Sequence, residues 1–105
     1  MTDTLRQLAA TIAGRRHDTA ERSYTSSLLE GGPKRCAKKL GEEAAETIIA
    51  ALVEDDAALK NEAADLVYHL LVLLEARGIA LDDVLAILDT RMGTSGHAEK
   101  AARQP

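Results

Sequence analysis

The chain has 105 residues, a length that favours one domain with one hydrophobic core. Hydrophobic residues make up 46% of it but aromatic residues only 2%, with no Phe or Trp, so the core must consist of Leu, Ile, Val and Ala. This composition favours helices over sheets and predicts an all-α fold. The net charge of −4 gives duplex nucleic acid no overall attraction, although a local basic patch would still bind phosphates.

Cysteine usage and hydropathy indicate a cytoplasmic protein. Cys36 is the single cysteine, so an intrachain disulfide is excluded, which fits a reducing compartment. We interpret Cys36 as a small residue on a helix face. The first residues lack the pattern of a signal peptide. The longest strongly apolar run, LVYHLLVLL, is too short to span a bilayer, so we expect no membrane partner.

The first half of the chain predicts two helices with a polar segment between them. Apolar residues at 3–4 spacing predict a first helix, capped by Asp3 and running to about Arg16. The segment HDTAERSYTSSLLEGG predicts a loop with one short helical turn. Pro33 after Gly32 suits a first helical position and predicts a second helix from Pro33 to about Val53.

The second half begins with an acidic break at residues 54–56, where an Asp can cap the next helix. A third helix is predicted from about Ala57 to Arg77, ended by Gly78 as the residue just past the helix. A fourth covers about Asp82 to Arg91. The predicted organisation is therefore a bundle of about four helices, with an all-α domain over 1–93 and a polar tail over 94–105.

The third helix is apolar around nearly its whole circumference. A helix of this kind is buried on all sides, and three other helices in so short a chain can hardly cover it. We therefore predict a homodimer with this helix at or near the interface. The apolar residues are Leu66, Val67, Leu70, Leu71, Val72, Leu73 and Leu74.

Two carboxylate pairs, Glu43 with Glu46 and Glu62 with Asp65, each lie three residues apart on one helix face. The short break makes the second and third helices an antiparallel hairpin. The first pair lies about ten residues before the break and the second about nine after it, so at about 1.5 Å per residue both lie about 14 Å from the turn. Four carboxylates then face one another across one gap, which predicts a metal site.

Helix phase ranks these acidic residues. Glu43 and Glu46 lie at the edge of the apolar face of the second helix, next to Ala50, whereas Glu42 points away from it. The same helix phase predicts that the apolar face of the second helix consists of Leu40, Ala44, Thr47, Ile48 and Ala51. The alternative is an ordinary solvated face, because Lys38 and Lys39 can pair with Glu42 and Glu43. That alternative fits the third helix poorly, since Glu62 and Asp65 interrupt an otherwise apolar segment.

An all-oxygen cluster selects Mg²⁺ or Mn²⁺ rather than zinc. Mg²⁺ usually keeps several waters and binds substrate phosphates, so the cluster points to phosphate chemistry. Basic side chains and the positive end of the helix dipole lie at the start of the second helix, although a solvated helix end explains them equally well. They are Lys34, Arg35, Lys38 and Lys39.

The segments KKLGEEAAETIIAA and NEAADLVYHLLVLL resemble the phosphoribosyl-ATP pyrophosphatases of histidine biosynthesis, which belong to the all-α nucleoside triphosphate pyrophosphatase group with the MazG-type enzymes and dimeric dUTPases. SYTSSLLEGG and SGHAEKAAR favour the histidine branch. The group's EExxE…ExxD pattern matches Glu42, Glu43, Glu46, Glu62 and Asp65.

This resemblance implies Mg²⁺-dependent hydrolysis of phosphoribosyl-ATP to phosphoribosyl-AMP and pyrophosphate, by a form not fused to the following cyclohydrolase. The implied metal ligands are Glu43, Glu46, Glu62 and Asp65, while Glu42 orients or deprotonates the water. Lys34, Lys38 or Lys39 would neutralise phosphates. Further substrate contacts are expected from Ser23, Tyr24, Thr25, His69 and Arg91, although a satisfied core histidine and a structural turn explain His69 and the Ser23–Thr25 segment as well.

Three other functions fit parts of the pattern. A housecleaning pyrophosphatase acting on dUTP or modified nucleotides would share the chemistry. A di-iron carboxylate protein would need Glu-x-x-His on facing helices, whereas His69 follows Asp65 by four residues. A non-catalytic helical dimer would leave the acidic cluster as a solvated face.

Overall fold

The computed structural model describes residues 2–20 and 23–93, and these residues contain helices and no strands. The predicted all-α class is therefore confirmed, with five α-helices in the described residues rather than about four. The predicted tail over 94–105 lies outside them, and the division at residue 93 stays a prediction. The elements are α1 Thr2–Gly14, a 3₁₀ turn Arg15–His17, α2 Tyr24–Glu30, α3 Gly32–Val53, α4 Asp56–Ala76 and α5 Leu81–Met92.

The additional helix, α2, lies where the sequence predicted a loop with one short turn, and that prediction was wrong. Ser23 caps α2, because its side chain accepts a hydrogen bond from the Ser26 N–H at 3.1 Å. Ser26 and Leu28 are both buried. Contacts with the rest of the bundle therefore stabilise a seven-residue helix that would be marginal alone. Asp3 was also misplaced, since it lies in the first turn of α1 rather than at its cap.

The ends of α4 follow the sequence closely. Asp55 caps the helix by accepting a hydrogen bond from the Ala58 N–H at 2.9 Å. At the other end Gly78 has a φ of 71°, which an L-residue with a side chain rarely adopts. The Ile79 N–H then donates to the Leu74 carbonyl at 2.9 Å, which closes a Schellman turn.

Helices α3 and α4 form the predicted antiparallel hairpin and make the most extensive contact in the fold. Helix α1 packs on α4, and α2 packs on both α3 and α4. Cys36 is buried on α3, as a small residue suits, and its thiol donates to the Leu28 carbonyl at 3.3 Å. The buried core comprises Ile12, Leu28, Cys36, Leu71 and Val72.

This core lies at one end of the hairpin. Near the turn, the α3 side chains of Ile49, Leu52 and Val53 are exposed. The phase prediction for α3 was therefore partly wrong: Ile48 and Ala51 are exposed, whereas Ala50 is buried. On α4, Val67 and Leu70 are also exposed in the single chain. No helix among the described residues is long and apolar enough to cross a membrane.

Candidate metal and phosphate site

The hairpin brings together three of the four carboxylates predicted to bind metal. One oxygen from each of Glu43, Glu62 and Asp65 lies within 4.8 Å of the others. Glu43 comes from α3, and the other two come from α4, at the level that the short connection predicts. Glu43 and Glu62 are half-buried, and Asp65 is exposed.

The fourth carboxylate, Glu46, is exposed, and it interacts electrostatically with the side chains of Glu43 and Glu62. Burial raises the pKa of Glu43, and its hydrogen bond and charge interaction with Glu46 raise it further. The pKa of Glu62 is raised first by the hydrogen bond to Glu46 and then by burial. Four carboxylates in this arrangement therefore favour holding a proton or a cation.

Two buried carboxylate oxygens indicate a cation-binding site rather than an ordinary charged helix face. Glu43 Oε2 and Glu62 Oε2 are buried and have no hydrogen-bond partner among the described residues. Buried polar atoms are nearly always partnered, because desolvating them without compensation is costly. An oxygen-only donor set fits a hard cation such as Mg²⁺, so the residues present suit the metal that the sequence predicts.

Thr47 belongs to this site, although the sequence analysis placed it only on the apolar face of its helix. Its hydroxyl donates to the Glu43 carbonyl at 2.8 Å and lies 3.2 Å from the Glu62 carbonyl on α4. In the sequence, the signal for this role was a hydroxyl side chain one turn after Glu43, on a face that is otherwise aliphatic. The contact with Glu62 could not be predicted from the sequence, because it depends on how α3 and α4 are aligned.

Glu42 lies outside the cluster, as the helix phase predicted. It accepts a hydrogen bond from the Lys39 ammonium at 3.0 Å, and this bond lowers the pKa of Glu42. Glu42 and Lys39 therefore form the ion pair on a solvated helix face that the sequence offered as the alternative to a metal site. Lys34 and Lys38 are exposed on the same helix, and Arg35 is exposed beside them. A β-carbon added at Gly41 would meet no atom within 4 Å among the described residues outside its own helix backbone.

His69 is a buried histidine with both ring nitrogens hydrogen-bonded. Its Nδ1 lies 2.8 Å from the Asp65 carbonyl, which can only accept, so Nδ1 carries the proton. Nε2 then accepts from the Tyr24 hydroxyl, at 3.3 Å. His69 thus links α2 to the backbone of Asp65, a member of the carboxylate cluster.

The start of α2 is fixed beside this histidine. The Tyr24 and Tyr68 rings stack with centroids 6.4 Å apart, and the hydroxyls of Thr25 and Tyr68 are hydrogen-bonded. The Tyr24 side chain remains half exposed, whereas the Ser23 hydroxyl caps the helix. Of Ser23, Tyr24 and Thr25, Tyr24 is therefore the most exposed. Arg91 is exposed in the last turn of α5.

Two cavities of about 300 Å³ each lie away from the carboxylates. One lies between α1, the end of α4 and the start of α5, and the other lies next to the 3₁₀ turn and α2. The carboxylate cluster lines neither of these cavities, and its members Glu46 and Asp65 are exposed.

An all-α chain with facing carboxylates on an antiparallel hairpin fits the all-α nucleoside triphosphate pyrophosphatase group. The family model for phosphoribosyl-ATP pyrophosphohydrolase matches residues 5–92. The chain belongs to this family, which is a family of hydrolases.

Curated relatives extend the match over nearly the whole chain. It is 57% identical to the phosphoribosyl-ATP pyrophosphatase of Rhodobacter capsulatus, over 94% of this chain and 96% of that protein. The Methylobacterium radiotolerans enzyme of the same name is 55% identical, over 97% and 95%. The Ruegeria pomeroyi enzyme is 56% identical, over 94% of each chain.

Proposed function

We propose that this protein hydrolyses phosphoribosyl-ATP to phosphoribosyl-AMP and pyrophosphate, the second step of histidine biosynthesis. The observation that carries the proposal is the match, at more than half identity and nearly full length, to proteins that bear this activity in their names. The reaction consumes one water and breaks the anhydride bond between the α and β phosphates.

Glu43, Glu46, Glu62 and Asp65 hold the divalent cation, Mg²⁺ with Mn²⁺ as an alternative. When bound, the cation neutralises triphosphate oxygens and lowers the pKa of an attacking water. The partnerless oxygens of Glu43 and Glu62 support this assignment. The raised pKa values of these two residues also support it, because a cation can replace the proton that they otherwise favour.

Residues around the cluster bind and orient the substrate. The exposed ammonium groups of Lys34 and Lys38 neutralise phosphate charge, as does Lys39. The hydrogen bond from Lys39 also lowers the pKa of Glu42, and the Glu42 carboxylate accepts a hydrogen bond from the attacking water and orients it. A carboxylate with a lowered pKa is a weak base, so orientation suits Glu42 better than deprotonation.

Tyr24, which His69 links to the backbone of Asp65, offers its exposed ring to the base or a ribose of the substrate. Ser23 and Thr25 hold Tyr24 in place through the helix cap and the bond to Tyr68, and His69 holds its hydroxyl. Arg91 contributes positive charge from α5.

The protein acts as a cytoplasmic homodimer. Large apolar side chains are exposed on α3 near the turn, in the middle of α4 and on α5, and a second copy would cover them. They are Ile48, Ile49, Leu52, Val53, Val67, Leu70, Ile87, Leu88 and Met92.

A substrate panel tests this function. The purified protein is assayed with phosphoribosyl-ATP, ATP, dUTP and modified nucleoside triphosphates, each with Mg²⁺ and with a chelator. We expect kcat/KM for phosphoribosyl-ATP to exceed every other value by orders of magnitude, and only with the metal. A preference for dUTP or a modified nucleotide would assign a housecleaning role instead. No turnover of any substrate would favour a non-catalytic dimer.

A further inference from the structure

The hydroxyl of Thr47 joins the two helices at the two residues that carry the buried carboxylates. It donates to the Glu43 carbonyl on its own helix and approaches the Glu62 carbonyl on α4, at 2.8 and 3.2 Å. A side chain of α3 thus contacts the backbone of both residues. The relative height of Glu43 and Glu62 is fixed at the same point.

The cluster needs such a connection because its own charges oppose it. Glu43 and Glu62 each have a buried oxygen without a partner among the described residues, and the negative charge of Glu46 interacts with both side chains. Carboxylate oxygens of Glu43, Glu62 and Asp65 lie within 4.8 Å of one another, and the repulsion between their negative charges favours separation of α3 from α4. Thr47 is half-buried next to them, so its hydrogen bonds are partly sheltered from water.

Two other helical threonines show that this contact is specific. Thr11 and Thr90 also donate to the carbonyl four residues earlier, at 2.9 and 3.1 Å. Both are exposed, and neither bonds to a second helix within the described part of the chain. The bond to the residue four earlier is therefore common to threonines in this fold, whereas the bond across the hairpin belongs to Thr47.

We propose that Thr47 is a positioning residue, which holds Glu43 and Glu62 at the spacing that the divalent cation requires. This inference rests on the metal site proposed above. Residues that orient metal ligands typically change metal affinity by about 10–100-fold when they are replaced. Thr47 touches no substrate in this account and acts only through the two glutamates.

Thr47→Val tests the inference, because valine keeps the shape of the side chain and removes the hydroxyl. Thr90→Val is the matched control, since it removes only a bond to the residue four earlier. The dissociation constant for Mg²⁺ is measured by calorimetric titration without substrate, and activity is measured in parallel. We expect Thr47→Val to weaken Mg²⁺ binding about tenfold or more. Thr90→Val should match the wild type.

Thr47→Ser is the second variant, and it keeps the test decisive if valine disturbs the fold. It retains the hydroxyl and should bind Mg²⁺ within about twofold of the wild type, a much smaller change than the loss of about 10–100-fold expected when an orienting residue is removed. Equal Mg²⁺ affinity in Thr47→Val and the wild type would overturn the positioning role and leave the metal site intact. If Thr47→Val does not fold, weakened Mg²⁺ binding in a folded Thr47→Ser would overturn it. A wild-type protein that binds no Mg²⁺ would remove the metal site, and this inference with it.

Discussion

At the scale of single residues, the carboxylates proposed to bind the metal destabilise the folded protein when no metal is bound. Glu43 and Glu62 each have a buried carboxylate oxygen without a partner among the described residues, and the pKa of each side chain is raised. In the absence of a cation, these charges destabilise the folded state. A metal reverses the sign, because the same carboxylates then face an opposite charge.

Glu43→Gln should therefore have opposite effects with and without metal. In a chelator the variant should melt at a higher temperature than the wild type, because it removes an unfavourable charge. At a Mg²⁺ concentration about 100-fold above Kd, the wild type gains about 2.7 kcal/mol, or roughly 10 °C or more in Tm. The variant should lose most of this gain and most of its activity. Differential scanning calorimetry measures both effects.

Glu42→Gln is the matched control, since Glu42 is paired with Lys39 outside the cluster. It should keep the gain in Tm with Mg²⁺.

The pH dependence of stability gives a second check. Because the pKa of Glu43 is higher in the folded state, the metal-free wild type loses stability as the pH rises from the unfolded value, about 4.3, through the raised one. Glu43→Gln should lose less over that range, and an equal loss would contradict this account.

Part of the site was predictable from residue spacing alone. Glu43 and Glu62 follow from an i, i+3 pattern and from distances to one break, both of which are local. The contacts of Thr47 and His69 were not predictable, because each reaches a residue of another helix. Their partners depend on how the helices pack rather than on the order of residues.

At the scale of the elements, the hairpin depends on its helix ends. Asp55 begins α4 with a side-chain bond to the Ala58 N–H, and Gly78 ends it with a positive φ. The sequence predicted both, because capping residues act within a few positions. Helix α2 was missed because its stability comes from the burial of Ser26 and Leu28 against other helices.

Asp55→Ala should lower the free energy of unfolding by about 1 kcal/mol, since it removes the cap of α4. Asp55→Asn should retain most of that stability, because asparagine also caps. Glu54→Ala, at the neighbouring position, is the control and should have little effect. Urea denaturation followed by circular dichroism measures all three. Equal losses at positions 54 and 55 would show that the cap is not what stabilises this turn.

At the scale of the whole molecule, the hydrophobic core lies at the end of the hairpin away from the turn, and apolar side chains near the turn are exposed. Ile12, Leu28 and Val72 are almost fully buried, whereas Leu52 and Val53 are more than three-quarters exposed. The sequence indicated this imbalance through the apolar circumference of α4. It did not indicate how much of α3 would also be exposed, because the covering surface of a bundle depends on where the other helices end.

Leu52→Glu should convert the proposed dimer to a monomer, since a charge within the proposed apolar interface is left without a partner. Gln7→Glu, on the exposed face of α1, adds the same charge and should leave the dimer intact. Sedimentation velocity gives the mass of each. A wild-type protein that sediments as a monomer would contradict the predicted interface, as would a Leu52→Glu dimer.

The most direct test of the central claim follows the products of the reaction by phosphorus nuclear magnetic resonance. Phosphoribosyl-ATP is incubated with the purified protein, first in a chelator and then after addition of Mg²⁺. We predict no reaction in the chelator, and pyrophosphate and phosphoribosyl-AMP in equal amounts once the metal is present. Release of orthophosphate, or the same rate in the chelator, would contradict a pyrophosphohydrolase whose four carboxylates hold a metal.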